Sequence, residues 1–194
     1  MVNALTAYAL LWLLVGAERG YELWLSARNA RWAKERGGVE EGAGHYPAMV
    51  LLHLLMPAAC FAEVILLDRS AQGITAAVAV AVIGFSMALR YWAIHTLGPY
   101  WNTRVIVVPN APPVATGPYR WVRHPNYVAV MFETLALPLA HSAWVTALIF
   151  TALQIQMLRV RIRSEEAALE RHCGYGTTLG STPRFVPHRS RGRR

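Results

Sequence analysis

The chain has 194 residues, of which 55% are hydrophobic and only 15% are charged, and its formal net charge is +8. A soluble domain usually carries about 25% charged residues, so this composition disfavours a soluble globular protein. The two cysteines, Cys60 and Cys173, indicate neither a disulfide framework nor a metal cluster.

Five apolar stretches predict membrane-spanning helices, because a helix needs about 20 apolar residues to cross the hydrocarbon core of a bilayer. They lie at 4–25, 47–67, 74–97, 127–140 and 143–162. Soluble core helices are disfavoured because the segment from Ile74 to Leu89 contains no charge. The fourth stretch is short, so the last two are expected to form a tilted or kinked hairpin around Pro138 and His141.

These stretches predict an all-α, polytopic integral membrane protein. The chain shows no internal repeat, and we interpret residues 1–194 as one domain. Its amino-terminal part, 1–97, holds three spans, and the remainder, 98–194, holds the long loop and the last two spans. The first stretch is interpreted as a retained span, since it lacks the flanking pattern of a secretory signal.

Basic residues predict the orientation, because loops rich in Lys and Arg stay in the cytoplasm. The 26–46 and 98–126 loops are basic, whereas the opposite side carries only Arg69. The amino terminus is therefore expected outside and the carboxyl terminus inside. Seven arginines follow the last span: Arg163, Arg171, Arg184, Arg189, Arg191, Arg193 and Arg194. The final arginine run is expected to bind anionic lipid headgroups, so the net charge does not require nucleic acid.

Several ionisable residues fall within the spans, where such groups are functional candidates by default. Glu18 and Glu22 share a helix face, so they either line a polar cavity or mark the membrane interface. Arg90 either extends to the interface or faces an anionic substrate group, and the sequence leaves both open. His53 and Glu63 are ten residues apart on one helix, too far for a shared contact.

The most informative pattern is a basic motif paired with an acidic doublet across an apolar hairpin. Arg123-His124-Pro125-Asn126-Tyr127 precedes the last two stretches, and Glu165-Glu166 follows them. Helices that cross the membrane and return bring both motifs to one surface. Adjacent residues project in different directions from a helix. At most one glutamate is therefore expected to point into a pocket, and the other to pair with Arg123 or Arg163.

These motifs resemble the signature of isoprenylcysteine carboxyl methyltransferases, and membrane phospholipid N-methyltransferases share the pattern. The resemblance rests on Gly117–Tyr127, Arg163–Leu169, His95–Trp101 and Thr182–Pro187, which together span roughly the last hundred residues. Three amino-terminal pieces are similar to a bacterial branch that accompanies type III polyketide synthases and methylates alkylpyrones or related phenolic lipids. These pieces are 28–32, 37–40 and 45–47.

The resemblance implies S-adenosylmethionine as the cofactor, bound between the last helices and the 98–126 loop. The expected cofactor-binding residues are Tyr119, His124, Pro125, Tyr127, Glu165 and Glu166. The aromatic side chains among them suit a sulfonium, because an aromatic face attracts a cation. Catalytic roles are expected for Arg123, Glu133, Arg163 and Glu166.

The chemistry of the acceptor decides which side chains are needed. A carboxylate or acidic enol is already ionised and needs a cation for orientation. The candidates for that cation are Arg90, Arg123, Arg159 and Arg163. A weakly acidic phenol needs a general base instead, for which His124 and Glu133 are candidates.

The sequence therefore predicts a membrane O-methyltransferase, in a bacterial inner membrane, acting on a lipophilic acceptor that arrives from the bilayer. The acceptor is expected to be isoprenylcysteine-like or a long-chain alkylpyrone or alkylresorcinol. A phospholipid headgroup N-methyltransferase is the alternative, and the excess of arginine argues against an amine acceptor. An NADPH-dependent membrane reductase and a non-enzymatic transporter or scaffold fit less well. The sequence does not predict an oligomeric state.

Overall fold

The computed structural model describes residues 2–187, and nearly all of its regular structure is helical. The helices are α1 (Val2–Lys34), α2 (Tyr46–Leu66), α3 (Gly73–Leu97), α4 (Pro125–Leu139), α5 (Trp144–Cys173) and α6 (Tyr175–Leu179). Two short strands, β1 (Val39–Glu41) and β2 (Val105–Val107), complete the fold, together with 3-10 turns at Ala43–His45, Gly98–Tyr100 and Gly117–Arg120. The predicted headgroup-binding residues Arg189, Arg191, Arg193 and Arg194 lie outside the described part of the chain.

Helices occupy all five predicted spans, which confirms the all-α polytopic fold class. Three segments are long and apolar enough to cross a membrane, namely Ala43–Leu66, Gly73–Tyr100 and Trp144–Cys173. The 33 residues of α1 also suffice in length, although charged residues interrupt its apolar run. The 15 residues of α4 span only about 22 Å at about 1.5 Å per residue, which is less than the hydrocarbon core.

Two helices extend further than the sequence predicted. Helix α1 continues without a break beyond its predicted end at 25 to Lys34, because no glycine or proline interrupts it there. Helix α5 runs eleven residues beyond its predicted end at 162. It ends at Gly174, whose φ of 60° is the left-handed conformation that commonly terminates helices. The acidic doublet therefore lies on the spanning helix itself.

Small side chains allow the helices to approach closely on the side of the α4–α5 turn. Helix α3 packs along α4, and both α4 and α2 pack against α5. Their shared core is rich in alanine, with Ala79 on α3, Ala136 on α4 and Ala143 before α5, and Tyr8 of α1 completes it. Close contact through small residues is the usual way in which membrane helices associate.

A side chain from α2 caps the start of α5. The Glu63 carboxylate accepts hydrogen bonds from the backbone N–H groups of Val145 (3.1 Å) and Thr146 (2.7 Å), and it pairs with Arg69 at 3.3 Å. Ala143, which precedes the helix, has no side-chain acceptor for these otherwise unpaired N–H groups. Glu63 thus fixes the α4–α5 hairpin to α2.

At the opposite end, the long loop is held against α1 and α5. Asn29 on α1 donates to the carbonyl of Trp101 at 2.8 Å, and β1 pairs antiparallel with β2, with Glu40 opposite Ile106. Gly42 (φ 62°) follows β1, and any Cβ there would collide with Ser164 of α5. The short apolar run at 105–108 predicts an extended piece, and β2 forms there, whereas no sequence pattern predicts its partner strand β1.

Candidate functional site

The basic motif and the acidic doublet meet at one end of the α4–α5 hairpin. His124 Nε2 lies 2.9 Å from Glu166 Oε1, and Arg123 Nη1 lies 3.2 Å from the same oxygen. Arg184 from the carboxy-terminal segment donates to both Glu166 oxygens, at 3.1 and 2.5 Å. Glu166 therefore joins three segments that are distant in sequence.

The same carboxy-terminal segment also binds the motif through its backbone. The N–H groups of Arg123 and His124 donate to the carbonyls of Pro183 (2.8 Å) and Arg184 (3.1 Å). Phe185 lies beside the His124 ring, with 6.3 Å between centroids. The 182–187 segment thus completes the wall around the motif.

Glu165 faces a different direction from Glu166, as expected for consecutive helical residues about 100° apart. Its carboxylate accepts a hydrogen bond from the Tyr127 hydroxyl, which itself accepts one from Arg161 Nε at 2.7 Å. The Tyr127 ring is stacked on His124, with 5.3 Å between centroids and 19° between planes. This chain of contacts connects the basic motif to the interior of the helix bundle.

Two cavities flank Tyr127. The first, here called the loop cavity, has a volume of about 140 Å³ and lies between the long loop, β2 and the end of α5. Its polar lining includes Tyr119, Arg123, His124, Asn126, Glu165 and Tyr175. The Asn126 side-chain oxygen is buried there and makes no hydrogen bond with the described residues.

The second cavity, here called the helix cavity, lies among helices α1 to α5 and has a volume of about 710 Å³. It falls within the range of about 300–1,000 Å³ that is usual for small-molecule sites. Most of its lining is apolar, including Trp12, Leu13, Met56, Phe61, Leu137 and Leu158. Such a lining suits a hydrocarbon chain.

The two cavities share a wall. Its residues are Trp101, Asn102, Asn126, Tyr127 and Arg161, each of which lines both cavities. Arg161 is only 5% exposed, yet no carboxylate oxygen in the described residues 2–187 lies within 4.0 Å of its guanidinium. Its contacts are the Tyr127 hydroxyl and, at 3.6 Å, the sulfur of Met49. A buried cation without a direct counter-ion therefore stands where the cavities meet.

Comparison with known proteins identifies the family. The model of the isoprenylcysteine carboxyl methyltransferase (ICMT) family matches residues 77–171, which include the basic motif, the acidic doublet and Arg161. The chain belongs to this family. ICMT-family membership makes it a membrane methyltransferase.

Two bacterial relatives match most of the chain. YpbQ of Bacillus subtilis (strain 168) is 36% identical over 164 residues, which cover 83% of this chain and 97% of YpbQ. An uncharacterized protein of Haemophilus influenzae is 26% identical over 154 residues, covering 79% of this chain and 89% of that protein. The sequence similarity thus extends along nearly the whole length of both relatives.

A solved structure shows the same fold. The eukaryotic intramembrane Ras methyltransferase ICMT superimposes with a TM-score of 0.57 and 21% sequence identity, over 73% of this chain. The chain spans 52% of that larger protein. At this identity the likeness concerns the fold, and it supports the assignment of the chain as a polytopic membrane protein.

Most predicted cofactor residues of this ICMT-family site line the loop cavity. Tyr119, His124, Tyr127 and Glu165 do so, whereas Glu166 lies behind His124 and lines neither cavity. The predicted contact between Glu166 and the cofactor stays a prediction; in the structure its carboxylate is occupied by His124, Arg123 and Arg184. Pro125 is buried at the first position of α4 and fixes the entry of the motif into that helix.

The predicted catalytic residues are less concentrated. Arg123 lines the loop cavity, but Arg163 is exposed on α5 and lines neither cavity. Its predicted catalytic role stays a prediction, and its side chain lies on the outer face of the helix. Glu133 lines the helix cavity instead, where it pairs with Arg90 and, at 2.9 Å, with Arg19. Arg90 is therefore a buried partner of carboxylates, which neither of its two sequence interpretations described.

Sequence reasoning missed Arg161, although a signal was present. Arg161 lies four residues before Glu165, and residues four apart share a helix face. Arg159 and Arg163, which were considered, lie two residues to either side of Arg161 and are both exposed. Arg161 lies on the same helix face as Glu165, and this distinguishes it from Arg159 and Arg163.

Burial and hydrogen bonding set the protonation states of two side chains around the basic motif. Burial raises the pKa of Tyr119 well above its usual range, so its phenol stays neutral and can donate a hydrogen bond in the loop cavity. The hydrogen bond from Arg184 to Glu166 raises the pKa of that guanidinium further, so it remains a cation. Tyr119 is therefore excluded as a base. The contact between Arg184 and Glu166, here called the Glu166 clamp, is ionic.

Proposed function

We propose that the chain is an S-adenosylmethionine-dependent O-methyltransferase that methylates an acidic oxygen of a lipophilic acceptor. The observation that carries this proposal is the shared wall between a polar and an apolar cavity, with an unpaired Arg161 in it. The loop cavity suits the polarity of a water-soluble cofactor and the helix cavity that of a lipid, so the reacting groups of the two can meet at this wall. Desolvation and alignment are the main demands of such a transfer.

The residues of the loop cavity fit the cofactor. S-adenosylmethionine combines an aromatic base, ribose hydroxyls, an amino acid head and a sulfonium, and when bound it supplies an electrophilic methyl group. Tyr119 offers an aromatic face and a hydrogen-bond donor, and Glu165 and the unpaired Asn126 oxygen offer acceptors. Arg123 offers a cation for a carboxylate. These side chains are the ones that we expect to hold the cofactor.

Arg161 fits an anionic acceptor. A buried charge without a direct partner is costly, and a carboxylate or enolate entering from the helix cavity would relieve that cost while being oriented by the guanidinium. Tyr127 fixes Arg161 through the 2.7 Å hydrogen bond at Nε, so the remaining N–H groups have a defined direction. An amine acceptor next to this cation would be repelled, which disfavours headgroup N-methylation.

The surroundings of Glu133 argue in the same direction. A general base must be free to take a proton, but the Glu133 carboxylate already receives hydrogen bonds from Arg19 and Arg90. An acceptor that is ionised in solution needs no such base. A carboxylic acid or an acidic enol, such as the head of an alkylpyrone, therefore fits better than a simple phenol.

The apolar lining of the helix cavity supports a long-chain or prenyl acceptor that comes from the bilayer. We place the protein in a bacterial inner membrane with the loop cavity open to the cytoplasm, where the cofactor is made. In this orientation the amino terminus is outside. The basic 26–46 and 98–126 loops support this orientation.

The decisive experiment supplies purified protein in lipid nanodiscs with methyl-labelled S-adenosylmethionine and a lipid extract of the host. Label in a lipid that is released as methanol by mild base identifies a methyl ester, and base-stable label on oxygen identifies an enol or phenol ether. Label on the amine of a phospholipid headgroup would instead establish the N-methyltransferase. No labelled lipid above the level of an Arg161→Gln control would refute the proposal.

A further inference from the structure

A ring of polar side chains surrounds the helix cavity at some distance from the shared wall. We call it the polar belt, and all five long helices contribute to it. Its members are Arg19 and Glu22 of α1, His53 of α2, Arg90 of α3, Glu133 of α4 and Gln154 of α5, each of which lines the helix cavity. Apolar side chains such as Val130, Leu158, Trp12 and Phe61 line other parts of the same cavity.

The charges of the polar belt are already matched to one another. Arg19 pairs with Glu22 at 2.6 Å and with Glu133 at 2.9 Å. Arg90 pairs with the same two carboxylates, and Glu18 lies 3.3 Å from Arg19 as a third carboxylate. Two guanidinium groups thus face three carboxylates, so the polar belt has no spare cation for an anionic ligand.

Gln154 is an uncharged member of the polar belt whose hydrogen bonding is incomplete. Glu22 Oε1 and Arg90 Nε also make no hydrogen bond within residues 2–187, but both side chains have ion-pair partners. Gln154 is 1% exposed, and its side-chain oxygen accepts no hydrogen bond from any residue in 2–187. Buried polar groups are nearly always paired, because an unpaired acceptor forfeits its hydrogen bonds to water. A residue that only fastened helices together would have its partner on a neighbouring helix. Gln154 instead lines the helix cavity, where a ligand can supply the donor.

We propose that the polar belt is a second recognition site, which takes a neutral hydroxyl group on the chain of the lipophilic acceptor through Gln154. A hydroxyl supplies the missing donor, and it adds no charge to a set of groups whose two cations are already paired with carboxylates. The proposal rests on the proposed function, because it concerns the acceptor of the same site. It predicts an acceptor with two polar groups rather than an uninterrupted hydrocarbon chain.

The position of Gln154 sets the spacing between these groups. Gln154, Leu158 and Arg161 lie on one face of α5 and all line the helix cavity. Seven residues separate Gln154 from Arg161, which corresponds to about 10 Å along a helix. The hydroxyl should therefore lie near the middle of a long chain whose acidic head contacts Arg161.

Binding of tritiated hexadecanoic acid and its hydroxy derivatives tests this spacing. The protein is held in nanodiscs with saturating S-adenosylhomocysteine, so that binding is measured without turnover. The derivatives carry the hydroxyl beside the carboxylate, in mid-chain or at the chain end. Gln154→Leu removes the acceptor, and Gln156→Leu makes the same change at an exposed position of the same helix.

We expect the mid-chain derivative to bind about tenfold more tightly than the unsubstituted acid, as one satisfied buried acceptor implies. The two other derivatives should show no such gain. Gln154→Leu should abolish the preference without weakening binding of the unsubstituted acid, and Gln156→Leu should retain it. Absence of the preference in the wild type, its survival in Gln154→Leu, or failure of every chain to bind would overturn the proposal.

The result of this binding test can be distinguished from the result of the methyl-transfer test of the proposed function. A preserved preference without methyl transfer to any lipid would remove the enzymatic proposal and leave the binding site. Methyl transfer to a lipid, without a preference for the mid-chain hydroxyl, would support the enzymatic proposal and remove the second recognition site.

Discussion

Replacing Arg161 by glutamine tests the chemistry at the shared wall most directly. Loss of one partner of a buried, hydrogen-bonded charge pair costs about 2–5 kcal/mol, which corresponds to a roughly 30- to 4,000-fold lower kcat/KM at about 1.4 kcal/mol per tenfold. The fold should be nearly unaffected. The substitution removes the hydrogen bond from Arg161 to Tyr127, which lowers stability by about 1 kcal/mol. It also removes a buried charge that has no direct counter-ion, which raises stability.

The assay measures methyl transfer to the lipid that becomes labelled in the host extract. Calorimetric titration with S-adenosylmethionine and thermal unfolding are measured on the same preparations. Arg159→Gln is the matched control, because Arg159 lies on the same helix and is exposed. It should retain kcat/KM within about twofold.

Two results would refute the reasoning. If Arg161→Gln keeps kcat/KM within about threefold of the wild type, the guanidinium does not orient the acceptor. If the loss arises entirely from weaker binding of S-adenosylmethionine, Arg161 serves the cofactor instead. A collapse of thermal stability in this variant alone would show that the residue is structural.

Glu166→Gln should weaken S-adenosylmethionine binding about tenfold or more in calorimetry, because His124 loses the carboxylate that positions it; unchanged affinity would show that the clamp does not shape the loop cavity. Glu63→Ala should lower the free energy of unfolding by about 1–2 kcal/mol by uncapping α5, measured by denaturant titration, and an unaltered midpoint would contradict that role. A cysteine introduced at Asp68 should react with an impermeant maleimide in intact cells, and one at Arg36 only after the membrane is opened; the opposite pattern would refute the proposed orientation.

The sequence predicts the helices well, because a spanning segment must satisfy its backbone internally and present apolar side chains to lipid. The same constraint makes the return of the α4–α5 hairpin predictable, and with it the meeting of His124 and Glu166. Helix ends are less predictable, because α5 continues past its apolar part until Gly174 ends it. Hydropathy detects only the membrane-embedded portion.

Contacts between charged residues within the helices were not predictable in the same way. Arg19 and Glu133 are 114 residues apart in the chain, and their pairing depends on how α1, α3 and α4 are rotated against one another. The sequence leaves open whether Glu22 lines a cavity or marks an interface, and only the packed helices show that it lines one. Arg161 was missed because it lies near the predicted end of an apolar span, where an arginine is usually interpreted as an interfacial residue.

The binding of the 182–187 segment to the basic motif has a consequence for biosynthesis. The backbone carbonyls of Pro183 and Arg184 complete a wall whose other parts are translated some sixty residues earlier. A nascent chain that is still threaded through the ribosome lacks this wall, even when all its helices have entered the lipid. The basic motif therefore gains these backbone contacts only after residues 182–187 have been synthesised.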